Sequence, residues 1–201
     1  MEKKVIVLSL GGSLIIPDEI NTKYLKSFKK TILKNTSNYK FIVVCGGGNI
    51  ARKYISALKK VGMNTLFQSY AGISATRTNA RFMSYFFNQD QKRGIPKKIR
   101  EVKKYIKKYD IVFCGALEYR PNQTSDSTAS EIAKKFKCEF INLTDVNGLY
   151  DKNPKEFKNA KLIHEISWEE FKKIVDKIKF RPGQHFVLDQ TASKTIKTNN
   201  L

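Results

Sequence analysis

Four short apolar runs, each followed at once by a turn rich in glycine or hydroxyl residues, constrain this chain more than any other feature. The runs are Val5–Leu10, Phe41–Cys45, Ile111–Cys114 and Glu139–Leu143. They are nearly continuous in apolar residues rather than alternating, as expected of parallel strands covered on both faces. Helix-length segments lie between them. The segment Glu19–Leu33 carries Ile20, Leu25, Phe28 and Ile32 at helical spacing, and Ile50–Val61 follows the second run. A long pair covers Ile73–Phe87 and Pro96–Lys108, and Ser127–Phe136 follows the third run. Strands alternating with helices predict an α/β fold with right-handed crossovers. Ser167-Trp168-Glu169-Glu170 spells a capping box, so a further helix is expected from there towards Ile178, with Trp168 packed at its start. No internal repeat or Pro/Gly/Ser-rich linker cuts the 201 residues, which fit one domain spanning 1–201.

Several function classes are disfavoured. No apolar run is long enough to span a bilayer, and the opening Met1-Glu2-Lys3-Lys4 leads into a first strand rather than a signal peptide. No membrane partner is expected. Cys45, Cys114 and Cys138 lie far apart in or beside apolar runs, and His164 and His185 stand alone. That pattern predicts buried free thiols in a reducing, cytoplasmic compartment and no protein-built metal site. The net charge of +20 invites a nucleic-acid reading. Yet within Lys97–Lys108 the apolar Ile99, Val102 and Ile106 recur at helical spacing, which makes the lysines a solvated face. With no basic tail, RNA-recognition signature or zinc finger, no nucleic-acid partner is expected. A positive field also attracts nucleotide phosphates.

The residues with chemical potential cluster in the turns that leave the strands. Gly11-Gly12-Ser13 leaves the first and Gly46-Gly47-Gly48-Asn49 the second. Gly115 leaves the third, and after a loop Gln123-Thr124-Ser125-Asp126 opens a helix; Thr144-Asp145-Val146-Asn147-Gly148 leaves the fourth. In a parallel sheet all four turns share the carboxyl edge, where ligands bind. Glycines let backbone N–H groups approach anionic oxygens, and helix amino-termini add unpaired N–H groups. Ser13, Thr124 and Ser125 can donate further hydrogen bonds, and Arg52 and Arg77 charge-assisted ones. The turns spell neither the dinucleotide GxGxxG fingerprint nor a GxxxxGK[ST] P-loop. Together they suit two phosphorylated ligands meeting end to end.

The chain resembles the amino acid kinase superfamily, and within it the archaeal-type UMP kinases. The resemblance rests on Leu8-Ser9-Leu10-Gly11-Gly12-Ser13, on Val43 through Tyr54 with its Gly46-Gly47-Gly48-Asn49, and on Gly72-Ile73-Ser74-Ala75-Thr76-Arg77-Thr78-Asn79-Ala80. Pro121 through Asp126, Thr144 through Tyr150, Asn153-Pro154-Lys155 and Asn159-Ala160-Lys161 extend it over residues 5 to about 197. It implies a three-layer α/β/α sandwich with a mainly parallel central sheet, the carbamate kinase-like fold. It implies transfer of the γ-phosphoryl of ATP to UMP, with magnesium carried on the nucleotide.

By that resemblance Ser9, Leu10, Gly11, Gly12 and Ser13 form the first phosphate loop, with Ser13 near the transferred group. Gly48 and Arg52 serve ATP, and Thr144, Tyr150 and Asn153 frame its base and ribose side. Lys161 falls near the ATP phosphates, and Ser13, Asp126 and Lys161 are the expected catalytic set. Gly47, Ser69, Gly72, Gln123, Thr124, Ser125 and Asp126 line the UMP site. Arg77 is expected at the UMP phosphate, the bland alternative being a surface salt bridge. For Asp126 the alternatives are orienting the phosphate loop, holding an outer-sphere metal water, or capping the helix. The family also implies a homo-oligomer, a hexamer, formed through Ile50–Val61 and Ile73–Phe87.

The sequence departs from the family in places. Gly115 through Asn122 is longer than the usual loop, and Glu118 puts an acid near a monophosphate site. Ser69 stands where relatives carry a ribose-binding aspartate, and Asp145 and Asn147 exchange an acid and an amide. The family's final strand-helix-strand is expected to be absent. These departures keep two alternatives in view: a different phosphate or carboxylate acceptor, and a non-catalytic nucleotide- or oxyanion-binding relative.

Overall fold

The first strand, β1 (Lys4–Leu10), is the axis on which the rest is laid. It pairs in parallel with β2 (Tyr39–Cys45) on one side and β4 (Glu139–Leu143) on the other, and β2 pairs in parallel with β3 (Ile111–Cys114). The strand order is β3-β2-β1-β4. The computed structural model describes residues 3–121, 123–152, 154, 156–176 and 190–199. Asn153, Lys155, His185 and the expected helix end at Ile178 lie outside them.

Successive side chains of a strand point to opposite faces, so the apolar runs fill two cores at once. Ile6, Leu8, Leu10, Phe41, Val43, Cys45 and Phe113 face one side; Val7, Ile42, Val44, Val112 and Cys114 face the other. The edge strand β4 is different. It pairs only with β1 among the described residues, and Ile141 is 42% exposed. An apolar run therefore marks a strand here without guaranteeing cover on both faces.

Helices close both faces. On the first lie α1 (Gly12–Ile15), α2 (Thr22–Lys34) and α4 (Thr65–Phe86), through Leu14, Leu25, Phe28, Ile32, Ala80 and Met83. On the second lie α5 (Ile99–Lys108) and α6 (Ser125–Phe136), through Val102, Ile106, Ala129, Ile132 and Ala133. The result is a three-layer sandwich. In α5 the apolar stripe is buried while Lys103, Lys104, Lys107 and Lys108 face solvent, as the spacing predicts. The helix α3 (Gly48–Lys60) packs Ala51 and Ile55 on Ala75 of α4.

Helix starts differ from expectation where a cap decides them. The α2 start is set by Asn21, whose side chain accepts from the Tyr24 N–H at 3.1 Å, not by Glu19. The α4 start is set by Asn64, which accepts from the Phe67 N–H at 3.1 Å, well ahead of the expected Ile73. Each such cap stabilises its helix by about 1 kcal/mol.

A hairpin of β5 (Leu149–Tyr150) and β6 (Leu162–Ile163) joins α7 (Trp168–Asp176) and α8 (Gln190–Asn199) around Leu149, Phe171, Val175, Ala192 and Ile196. The capping box at the start of α7 is formed: Glu170 N–H donates to Ser167 Oγ at 3.2 Å, and Ser167 N–H to Glu170 Oε2 at 3.3 Å. Trp168 packs edge-on against Phe171 with centroids 5.7 Å apart. The cysteines are free thiols, with Cys45 and Cys114 buried on opposite faces and Cys138 half-buried.

Candidate functional site

Matched register brings the four strand ends to one edge: Leu10 lies beside Cys45 and Leu143, and Val44 beside Cys114. The turns after them then touch. Gly11 N–H donates to the Leu143 carbonyl at 2.9 Å, and Gly46 N–H to the Leu10 carbonyl at 2.8 Å. Gly12 and Gly48 meet backbone to backbone; a Cβ on Gly12 would lie 2.0 Å from Gly48 N. Gly48 itself has φ +60°, and a Cβ there would lie 2.5 Å from the Gly12 carbonyl oxygen. No other residue type satisfies both demands. The amino ends of α1 and α3 are thereby held side by side. Such paired ends present unpaired N–H groups and favour anions.

The head of α6 is tied to this floor by a part-buried bond. Ser9, fully buried on β1, donates its hydroxyl to Asp126 Oδ1 at 2.6 Å. Thr124 caps the helix by accepting from the Asp126 N–H at 3.2 Å. Capping is thus the work of Thr124, and Asp126 is a first-turn acid bound to β1. Thr144 comes directly after β4; the Cβ that Gly11 lacks would lie 3.8 Å from its Cα.

One wall beside these turns is α4. A Cβ on Gly47 would lie 3.6 Å from both the Gly72 carbonyl oxygen and Thr76 Cγ2. Asn79, buried, donates to the Gly46 carbonyl at 2.7 Å. Thr76 Oγ1 donates to the Ile73 carbonyl at 2.7 Å and accepts from the Ala116 N–H at 2.9 Å. Residues 72, 76 and 79 lie on one helical face, so one stripe of α4 fastens the turns after β2 and β3. Neither Thr76 nor Asn79 was an expected site residue. Their spacing within the Gly72–Ala80 segment was the available signal.

The expected site residues divide accordingly. Ser9, Gly11, Gly12, Gly48 and Asp126 bond or pack directly at this edge, Gly47, Gly72 and Thr144 lie close beside it, and Thr124 and Ser125 open α6 there. Ser13 is half-buried in α1 with its hydroxyl uncommitted among the described residues, and Ser69 is half-buried on α4. Leu10 contributes only backbone, because its side chain is buried in the core. Other side chains go elsewhere. Gln123 donates to Glu131 Oε1 at 2.9 Å, a carboxylate that also takes Arg120 at 2.9 Å. Arg77 donates through Nε to the Ala116 carbonyl at 3.1 Å and through Nη2 to the Leu117 carbonyl, so it forms no surface salt bridge among the described residues. Arg52 is half-buried on α3. Tyr150 and Lys161 stand on the β5–β6 hairpin, where Lys161 is exposed and its N–H donates to Asp151 Oδ1 at 2.8 Å. Glu118 is exposed and turns to Lys98, 4.0 Å away.

A parallel sheet between two helix layers, with two glycine turns and a helix head meeting at its carboxyl edge, defines a three-layer α/β protein with an anion-favouring edge. The sequence model of the amino acid kinase family matches residues 4–201, and the chain belongs to that family. It is 32% identical over 197 residues to the uridylate kinase of Archaeoglobus fulgidus, covering 98% of this chain and 87% of that protein. It is 29% identical to the uridylate kinase of Thermococcus sibiricus with the same coverage of each. The crystal structure of the Archaeoglobus fulgidus enzyme superimposes with a TM-score of 0.80 over 98% of this chain and 87% of that one. The UMP kinase of Ureaplasma parvum, at 22% identity, shares the fold with a TM-score of 0.75, over 100% of this chain and 86% of that one.

Proposed function

We propose that this protein transfers the γ-phosphoryl of ATP to UMP, giving UDP and ADP. The observation that carries this reading is the meeting of the turns after β1 and β2 with the Asp126 end of α6 in one anion-favouring edge. Uridylate kinases as relatives over nearly the whole chain support the acceptor. In the reaction a UMP phosphate oxygen attacks the γ-phosphorus, and the bond from that phosphorus to the bridging oxygen of ADP breaks. The attacking oxygen is already ionised at neutral pH, so no general base is needed. Catalysis is positioning and charge neutralisation.

In this reading the backbone N–H groups of Gly12, Ser13 and Gly48 receive the transferred group and the ATP phosphates, Gly11 N–H being held by the Leu143 carbonyl, with Arg52 and Lys161 supplying positive charge. Gly47, Ser69, Gly72 and Thr124–Asp126 hold UMP. Thr144, Tyr150 and Asn153 frame the adenosine. The glycines let the turns after β1 and β2 pack backbone to backbone, and backbone N–H groups gathered in this way suit phosphate oxygens. Among the described residues no group of three or more His, Cys, Asp or Glu side chains could hold a metal ion, and the Asp126 carboxylate at this edge fits a magnesium ion that keeps phosphate oxygens and water as its ligands. Magnesium would neutralise charge on the triphosphate.

Self-association through α3 and α4, in a hexamer by family resemblance, belongs to the same reading. Tyr54, Val61, Leu66, Phe67 and Tyr70 are exposed on these helices and the turn between them, which supports it. Light scattering should give an oligomer; a monomer contradicts this part. A cytoplasmic location is also proposed. Its support is the free thiols and the lack, among the described residues, of a helix long and apolar enough to cross a membrane. The activity test is direct. Purified protein with ATP, magnesium and UMP should form UDP, with CMP and AMP poor acceptors. Folded protein without nucleotide-dependent turnover contradicts the reading.

A further inference from the structure

The segment from Gly115 to Pro121, which leaves β3 for the head of α6, is fastened along one stripe of α4. At its base Thr76 Oγ1 takes the Ala116 N–H at 2.9 Å. Arg77 closes a fork on the carbonyls of residues 116 and 117, Nε to Ala116 at 3.1 Å and Nη2 to Leu117. Two helical turns earlier, the rings of Tyr70 and Tyr119 meet with centroids 5.4 Å apart. Residues 70 and 77 share a stripe of the helix, so the segment runs along α4 against its direction. The fit at the base is close: a Cβ on Gly115 would lie 2.5 Å from Thr76 Oγ1 and 2.6 Å from Arg77 N. Glu118 points the other way, to Lys98.

Arg77 was expected at the acceptor phosphate. Its guanidinium is instead engaged by backbone oxygens, a use for which the planar fork of arginine is suited and a lysine point charge is not. We propose that Arg77 is a positioning residue: by holding segment 115–121 against α4 it fixes Thr124–Asp126 on the acceptor side of the cleft. This inference rests on the UMP kinase reading. A segment without regular structure must be ordered before it can help to hold a ligand, and its apparent affinity falls in proportion to the undocked fraction. The effect belongs to the acceptor alone, because the turns after β1 and β2 are held by other bonds.

The experiment compares Arg77→Met, Thr76→Val, Gly115→Ala and Lys98→Ala. Two things are read: amide hydrogen exchange along 115–121, and KM for UMP and ATP separately. The first three variants should exchange faster in 115–121 while β1 and β2 stay protected. Each should raise the KM for UMP about tenfold, with the KM for ATP within about twofold. Lys98→Ala should move neither. Thr76→Val and Gly115→Ala change no charge, so their sharing the Arg77→Met signature separates a fastened segment from a direct contact to phosphate. If Gly115→Ala fails to fold, Thr76→Val still decides. A raised KM for UMP in Arg77→Met alone, with exchange in 115–121 unchanged, overturns the proposal. Loss of the kinase reading looks different: the wild type then forms no UDP, and the exchange data still tell whether Arg77 holds the segment.

Discussion

Ser9, fully buried, gives its hydroxyl proton to half-buried Asp126 across a 2.6 Å bond, which ties the central strand to the head of α6. Removing the acceptor should leave a buried hydroxyl without this partner, so Asp126→Ala should lose about 1–3 kcal/mol of stability. Asp126→Asn keeps an acceptor oxygen and should lose less than about 1 kcal/mol. Both should slow UDP formation, because both remove the charge. Urea unfolding beside the kinase assay separates the two effects, and an Asp126→Ala protein as stable as wild type contradicts the role given to this bond. Gly12 is constrained in another way. A Cβ there meets backbone atoms of Gly48 at 2.0 and 2.6 Å, and backbone cannot swing aside. Gly12→Ala should part the two turns, lowering stability by about 1–3 kcal/mol or more and abolishing activity. A Gly12→Ala protein with wild-type kinetics would show that the turns need not touch.

Among the elements, α4 serves the site most, and only its second half was legible in sequence. Its second half carries Thr76, Arg77 and Asn79, each bound to backbone of another loop. Asn79→Ala should leave the Gly46 carbonyl without its side-chain donor and cost about 1–3 kcal/mol, measured by denaturant unfolding. Its first half depends on Asn64, and Asn64→Ala should cost about 1 kcal/mol without changing turnover. The strands were legible to within two residues because an apolar run is itself the cause of a buried strand. The glycine turns were legible because each comes directly after such a run. The start of α4 was not, since Leu66, Phe67 and Tyr70 are exposed and break the inward periodicity that marks a helix. The hairpin strands Leu149–Tyr150 and Leu162–Ile163 are too short to leave a period at all. Arg77 and Gln123 were misleading for a shared reason: the groups their side chains bind, two carbonyls and Glu131, are set by tertiary placement and not by spacing.

At the scale of the molecule, buried thiols link stability to pH. Burial pushes the Cys114 thiol up to about 12, and burial together with nearby Glu139 pushes Cys138 up to about 11 against a weaker opposing bond to Val7. An unfolded thiol ionises near about 8.5. The unfolded chain therefore releases protons first, and the thiols' contribution is fully present below that value and lost as pH rises towards the folded values. Cys114→Ala should lose less stability between pH 8 and about 10.5 than wild type does, by up to about 1.4 kcal/mol per pH unit. Equal losses in the two proteins would place the thiol elsewhere than in the core. The charge of +20 acts at the same scale, favouring anionic ligands. In the proposed reading, separate glycine turns and one helix head make a single cleft in which two nucleotides meet through their phosphates. Calorimetry with adenosine and uridine joined through a pentaphosphate chain tests it most directly. One equivalent should bind per chain, more tightly than ATP or UMP alone, and should exclude both. Failure to bind, or binding that displaces only one nucleotide, contradicts the shared cleft.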